Sequence, residues 1–296
     1  MLSMQHIMCD TLASDKLSDR QNVAALVYPD AIRGYGVPRE VTHFETNASE
    51  DDVSYWSFPT DMMMYSDANL INNHCDKFGH TANNIAKCAI GERSDINAFY
   101  EHNQHLPKKM YDGIETHLKQ DIVFDDFIRT HIDCTDKYRD IFVVTENGEE
   151  RTVDGKELRS IIGAIEQQGI YVLAHEIYEK TGETVNKEWF TENVYPVLQK
   201  EYPADLADKT FGFMNIDEHI DELITNHDWS ELDKSVYDIT YDDFKSLYED
   251  VSAYASGIDY NFLPSKMSDV QRDRVLSADT LVSDVESDDI TITKDL

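Results

Sequence analysis

Met110–His131 reads MYDGIETHLKQDIVFDDFIRTH, and Leu158–Lys180 reads LRSIIGAIEQQGIYVLAHEIYEK. In the first stretch Ile114, Leu118, Phe124 and Ile128 recur at helical spacing, and His117 and Asp121 fall inside that apolar stripe. In the second the stripe runs Leu158, Ile161, Ile162, Ile165 and Val172, and His175 and Glu179 continue it. Residues four apart share a helix face, so each stretch predicts a helix that turns an imidazole and a carboxylate inward. An unpaired carboxylate is costly on such a face, and a shared metal ion would pair it. The alternative is a core histidine hydrogen-bonded to the neighbouring acid. Spacing alone does not choose between them. With 58 acids and 11 histidines in 296 residues, about two His-x-x-x-acid matches are expected by chance. The chain also carries His6/Asp10 and His227/Glu231 at that spacing.

Around these two helices the pattern predicts a mainly α protein, a multi-helix bundle with long loops and one β-hairpin. Residues 1–28 read as a first helix, which Pro29, Gly34, Gly36 and Pro38 then break up. Residues 46–93 are polar, dense in Asn and Asp, and read as loops with one or two short helices. A helix over 94–106 is capped by Ser94 or Asp95 and stopped by Pro107. Residues 141–153 form a hairpin turning at Asn147-Gly148. Amphipathic helices follow over 186–200, 203–226 and 240–255, the last capped by Thr240 with Asp243. The division this implies is a helical metal-binding domain over 1–255, with a hairpin insertion at about 138–155, and a mobile C-terminal extension over 256–296.

Composition sets outer limits. The chain is 41% hydrophobic and 10% aromatic, enough for a packed core. A net charge of −32 argues against long nucleic acid and against anionic lipid, since both require basic patches that release counterions. Were a phosphoester the substrate, it would be a small soluble one; a protein partner reached through the acidic surface is the alternative. No apolar segment approaches the length of a membrane span, and no basic-then-apolar leader is seen. Cys9, Cys75, Cys88 and Cys134 lack C-x-x-C spacing, which fits a reduced, cytoplasmic setting, with a Cys75–Cys88 disulfide left open.

Further histidines and acids stand in a suggestive order: His6, Asp30, His43, then His117/Asp121 and His175/Glu179. Neutral imidazole with carboxylate suits zinc. This order resembles the zinc-dependent phospholipase C and P1-type nuclease superfamily, over roughly residues 1–180. The resemblance implies a mostly helical hydrolase holding up to three zinc ions, two being favoured. It also implies ligand roles for His6, Asp30, His43, His117, Asp121, His175 and Glu179, with Asp30 bridging metals. Three departures from the family pattern matter. The family's next histidine is replaced by Phe127, so that Asp125 or His131 would have to substitute. The family's amino-terminal ligand depends on signal cleavage, and the gap between the two helix pairs is longer here. In such a site Asp30, Asp121 or Asp125 would orient water, and Arg33 or Arg39 would hold a phosphate oxygen unless they serve as salt-bridge partners. Tyr55, Trp56 and Phe58 would line the substrate or form a satellite core.

Two other readings remain at this level. An HD-type phosphohydrolase would use His175 with the His227-Asp228 dyad. A non-catalytic acidic interaction protein would use none of these residues. No G-x-S-x-G or G-x-x-x-x-G-K-[ST] motif occurs.

Overall fold

The computed structural model describes residues 1–14, 21–35, 37, 39–44, 57–63, 94–134 and 140–257. The chain is mainly α. In order, the elements are α1 (Ser3–Ser14), α2 (Gln21–Ala31), a 3-10 turn (Ile32–Tyr35), α3 (Arg39–Thr42), α4 (Ile96–His102) and α5 (Lys108–His131). Strands β1 (Ile132–Asp133), β2 (Phe142–Glu146) and β3 (Glu149–Val153) follow. The chain then continues through α6 (Gly155–Thr181), α7 (Lys187–Asn193), α8 (Tyr195–Glu201), α9 (Ala204–Phe213), α10 (Glu218–Thr225) and α11 (Tyr241–Ala255).

The centre of the bundle is the pairing of α2 with α5, flanked by α1 on α6 and by α11 on α5. α5 is buried along Met110, Ile114, His117, Leu118, Asp121, Phe124 and Ile128, the three-and-four spacing expected of a core-facing stripe. Gly113 sets how closely α2 approaches. A Cβ there would stand 2.6 Å from Ala25 Cβ and 2.9 Å from the Leu26 nitrogen. α6 is capped by the Asp154 carboxylate on the Glu157 N–H, and it ends at Gly182 in the left-handed region with φ 77°.

Several expected elements are subdivided. The first helix becomes α1 and α2, with residues 15–20 outside the described residues. Pro29 does not stop α2, because it sits in the last turn and the helix runs two residues further before tightening to 3-10. The span 186–200 divides at Val194, since Pro196 in the first turn of α8 has no N–H to continue α7. The span 203–226 divides between Phe213 and Glu218, where Asp217 caps α10 through the N–H groups of His219 and Ile220. Thr240 and Asp243 form the expected capping box.

The hairpin turns at Asn147 (φ 56°) and Gly148 (φ 76°), the type I′ signature. It pairs Phe142 with Val153 and gains a third antiparallel strand when β1 leaves α5 and joins β2. Cys9 and Cys134 are buried. Cys75, Cys88, Tyr55, Trp56, most of 46–93 and the extension from 258 lie outside the described residues. Among the described residues no helix is long and apolar enough to cross a membrane.

Candidate metal centre

Side chains from α1, α2, α3 and α5 converge where α2 crosses α5. His117 and Asp121 face this point because the buried stripe of α5 includes them, and both are fully buried. Asp30 arrives from the last turn of α2, His43 from the residue after α3, and His6 from α1.

His43 Nε2 lies 3.0 Å from His117 Nε2. It is also 3.5 Å from Asp30 Oδ1 and 3.3 Å from Asp121 Oδ2. His117 Nε2 is 3.6 Å from Asp121 Oδ2. Four ligands about 2.0–2.1 Å from a tetrahedral zinc stand about 3.3–3.4 Å from one another, so these donor spacings are those of a coordination shell. On the far side of Asp121, Oδ1 meets the Met1 amine at 2.8 Å and His6 Nε2 at 3.2 Å. His6 and His117 stack at 3.9 Å between ring centres. Two donor groups result, Asp30/His43/His117 and His6/His117/Asp121. Asp121 turns Oδ1 toward His6 and Oδ2 toward His43 and His117.

Surrounding contacts aim the ligands. Gln120 Oε1 lies 2.6 Å from His6 Nδ1, directing Nε2 inward. Thr42 Oγ1 and the Arg39 carbonyl lie 2.7 and 3.2 Å from His43 Nδ1, with the same effect on that ring. The Ser3 hydroxyl donates to Asp30 Oδ2 at 2.8 Å. Such outer contacts fix ring orientation in metal sites.

Electrostatics favours the ligand forms. Burial and then the Arg39 charge push His43 down to about 4. Burial and then His6 hold His117 well below the usual imidazole range. Both rings are therefore neutral at pH 7, as metal binding requires. Burial pushes the Asp121 carboxyl up, but the Met1 amine, Arg39 and His6 outweigh it and hold it well below the usual range. At Asp30 burial acts the same way and is outweighed, first by the hydrogen bond with His43 and then by His117 beside it. Two carboxylates and neutral imidazoles thus share a dry volume rich in lone pairs. His117 Nδ1 has no hydrogen-bond partner among the described residues, and His6 Nε2 faces Asp121 without hydrogen-bond alignment. The donor set fits a divalent cation. Arg39 also enters it, donating to Asp121 Oδ2 at 3.0 Å and standing 3.8 Å from Asp125.

The second helix pair does not reach this point. His175 Nδ1 faces Glu176 at 3.4 Å, and its ring packs edge-on against Trp229 and Tyr241. Glu179 is exposed in the last turn of α6. Neither His175 nor Glu179 is a ligand of the centre, and this corrects the expectation from the apolar stripe. Phe127 packs on Phe124, His131 and Phe244, and His131, half-buried there, belongs to neither donor group. Asp125 borders the centre through Arg39 but belongs to neither donor group. The HD-type dyad is also not assembled. His227 and Asp228 are exposed past the end of α10, and His227 bonds to Thr184 Oγ1 at 2.6 Å. Phe58 belongs to a buried aromatic cluster with Phe44 and Phe99, the satellite-core alternative.

Sequence reading missed Glu166 on α6, whose carboxyl interacts with the Met1 amine, Asp121 and Arg39. Burial first, then Asp121 and Asp30, push it up to about 7. One acid among 58 carries no signal of its own. Gln120 and Thr42 were equally silent, though each adjoins a singled-out residue.

No protein-family model, curated protein or solved structure matches this chain. The superfamily likeness therefore stands on motif order alone.

Proposed function

We propose that this protein is a divalent-metal hydrolase of small phosphoesters, with zinc as the ion its donors suit. The observation that carries this reading is the convergence of two largely buried donor groups, Asp30/His43/His117 and His6/His117/Asp121, with His43 Nε2 at 3.0 Å from His117, 3.5 Å from Asp30 and 3.3 Å from Asp121. Bound there, zinc supplies a Lewis acid that polarises a phosphoryl oxygen and lets water act as nucleophile near neutral pH. The chain's own residues supply the rest. Asp121 holds one carboxylate oxygen toward each donor group. Arg33, with its side chain 47% exposed, offers a guanidinium fork to a phosphate oxygen. Asp125, raised by burial and then by the Asp121 charge against Arg39, borders the centre 3.8 Å from Arg39.

A second reading has its own support. Asp121 already receives the Met1 amine on one oxygen and Arg39 on the other, which is how a purely structural buried ion network would be arranged.

Elemental analysis of purified protein separates the two. The hydrolase reading expects at least one zinc per chain, lost in His117→Ala and retained in His175→Ala. Folded wild-type protein that takes up no zinc from supplemented medium would leave the structural network as the better account.

A further inference from the structure

Beside the centre lies a cleft of about 510 Å3 whose walls include Asp30, Arg33, Arg39, Val37, Thr210 and Phe213. Its volume is that of a small-molecule site, within the range of about 300–1,000 Å3. Asp30 joins it to the metal centre. In a chain with 58 acidic and 26 basic residues, this cleft brings together two arginines, Arg33 lying 3.4 Å from the Asp30 carboxylate and Arg39 bonded to Asp121.

Two features of α9 are not needed for hydrolysis itself. Thr210 is 2% exposed, yet its hydroxyl has no hydrogen-bond partner among the described residues. Buried hydroxyls are normally bonded, so this one, on the cleft wall, has unused capacity for a ligand oxygen. Three residues later on the same helix face, Phe213 is 66% exposed, the most exposed large hydrophobic among the described residues. With Val37 it gives the cleft an apolar wall beside the arginines. A solvent-facing phenyl ring gains from any apolar surface laid over it.

We propose that this cleft selects phosphorylated small molecules carrying an aromatic or flat apolar group, with the phosphoryl oxygens on Arg33 and Thr210 and the flat group on Phe213. The inference rests on the phosphoester reading for the choice of ligand, but it concerns recognition and not bond cleavage. It places substrate choice on α9, a helix that carries none of the proposed metal ligands.

Calorimetric binding of phenylphosphonate and methylphosphonate tests it, on protein as purified and after chelator treatment. Wild type is expected to bind phenylphosphonate about tenfold more tightly than methylphosphonate, the factor that burial of much of one ring supports. Phe213→Ala should bring that ratio below about twofold without moving the thermal midpoint, since the ring is exposed. Thr210→Val should weaken both ligands alike, by about five- to tenfold. Equal affinities in wild type, a ratio that survives Phe213→Ala, or no binding of either phosphonate would overturn the proposal. Zinc-free, inactive protein that keeps the ratio would defeat the hydrolase reading and leave this one standing. Turnover of phosphoesters with a ratio untouched by Phe213→Ala would do the reverse.

Discussion

His43 shows how one buried side chain ties stability to pH. Its folded value of about 4 lies below the ordinary imidazole value of 6.5, so between those values the unfolded chain binds a proton that the folded chain refuses. Stability is therefore fully present above about pH 6.5 and is lost as pH falls toward 4. The loss is on the order of 3 kcal/mol if His43 alone counted, and His117 acts in the same direction. Asp30 and Asp121, both depressed, contribute stability above the unfolded carboxylate range that is lost only as pH falls through their lower folded values. Glu166, raised to about 7, works against this loss as pH falls, so metal-free Glu166→Gln protein should lose melting temperature between pH 7 and 5. A flat profile across that interval, measured calorimetrically, would contradict the burial of neutral imidazoles. At this scale much of the site was legible: His117 and Asp121 stood out because a polar pair on an apolar stripe needs a reason. Glu166, Gln120 and Thr210 did not, since their roles come from elements that meet only in the folded chain.

At the scale of elements, the centre depends on how closely α2 lies on α5, because Asp30 rides on one helix and His117 and Asp121 on the other. Gly113 sets that distance, and the 2.9 Å approach to the Leu26 backbone nitrogen cannot be relieved by a side-chain rotation. Gly113→Ala should therefore destabilise by about 1–3 kcal/mol, despite the gain of about 1 kcal/mol in helix propensity, and should weaken metal retention. Urea denaturation with elemental analysis checks both, and unchanged or increased stability would show that α2 is not held so closely. Helix identities, the capping box and the Asn147-Gly148 turn were readable because they are local. The breaks at Val194 and after Phe213 were less so, since a continuous amphipathic pattern hid them. The error over His175 and Glu179 has the same origin. Periodicity gives a side chain's azimuth on α6 but not which partners it meets there, and His175 meets Trp229 and Tyr241.

For the whole molecule, the account is a helical body whose acidic surface surrounds a dry centre and one arginine-lined cleft. Fold class followed from the sequence, whereas the meeting of four elements at one point did not, because pairings across 74 residues (His43 with His117) and 120 (Met1 with Asp121) leave no local trace. The central claim is that this meeting point holds a divalent ion. Crystals grown with zinc and measured on either side of the zinc absorption edge test it most directly. An anomalous peak about 2.0–2.1 Å from His43 Nε2, His117 Nε2 and an oxygen of Asp30 is the predicted result. A map with no peak there, and with Arg39 still bonded to Asp121, would contradict it.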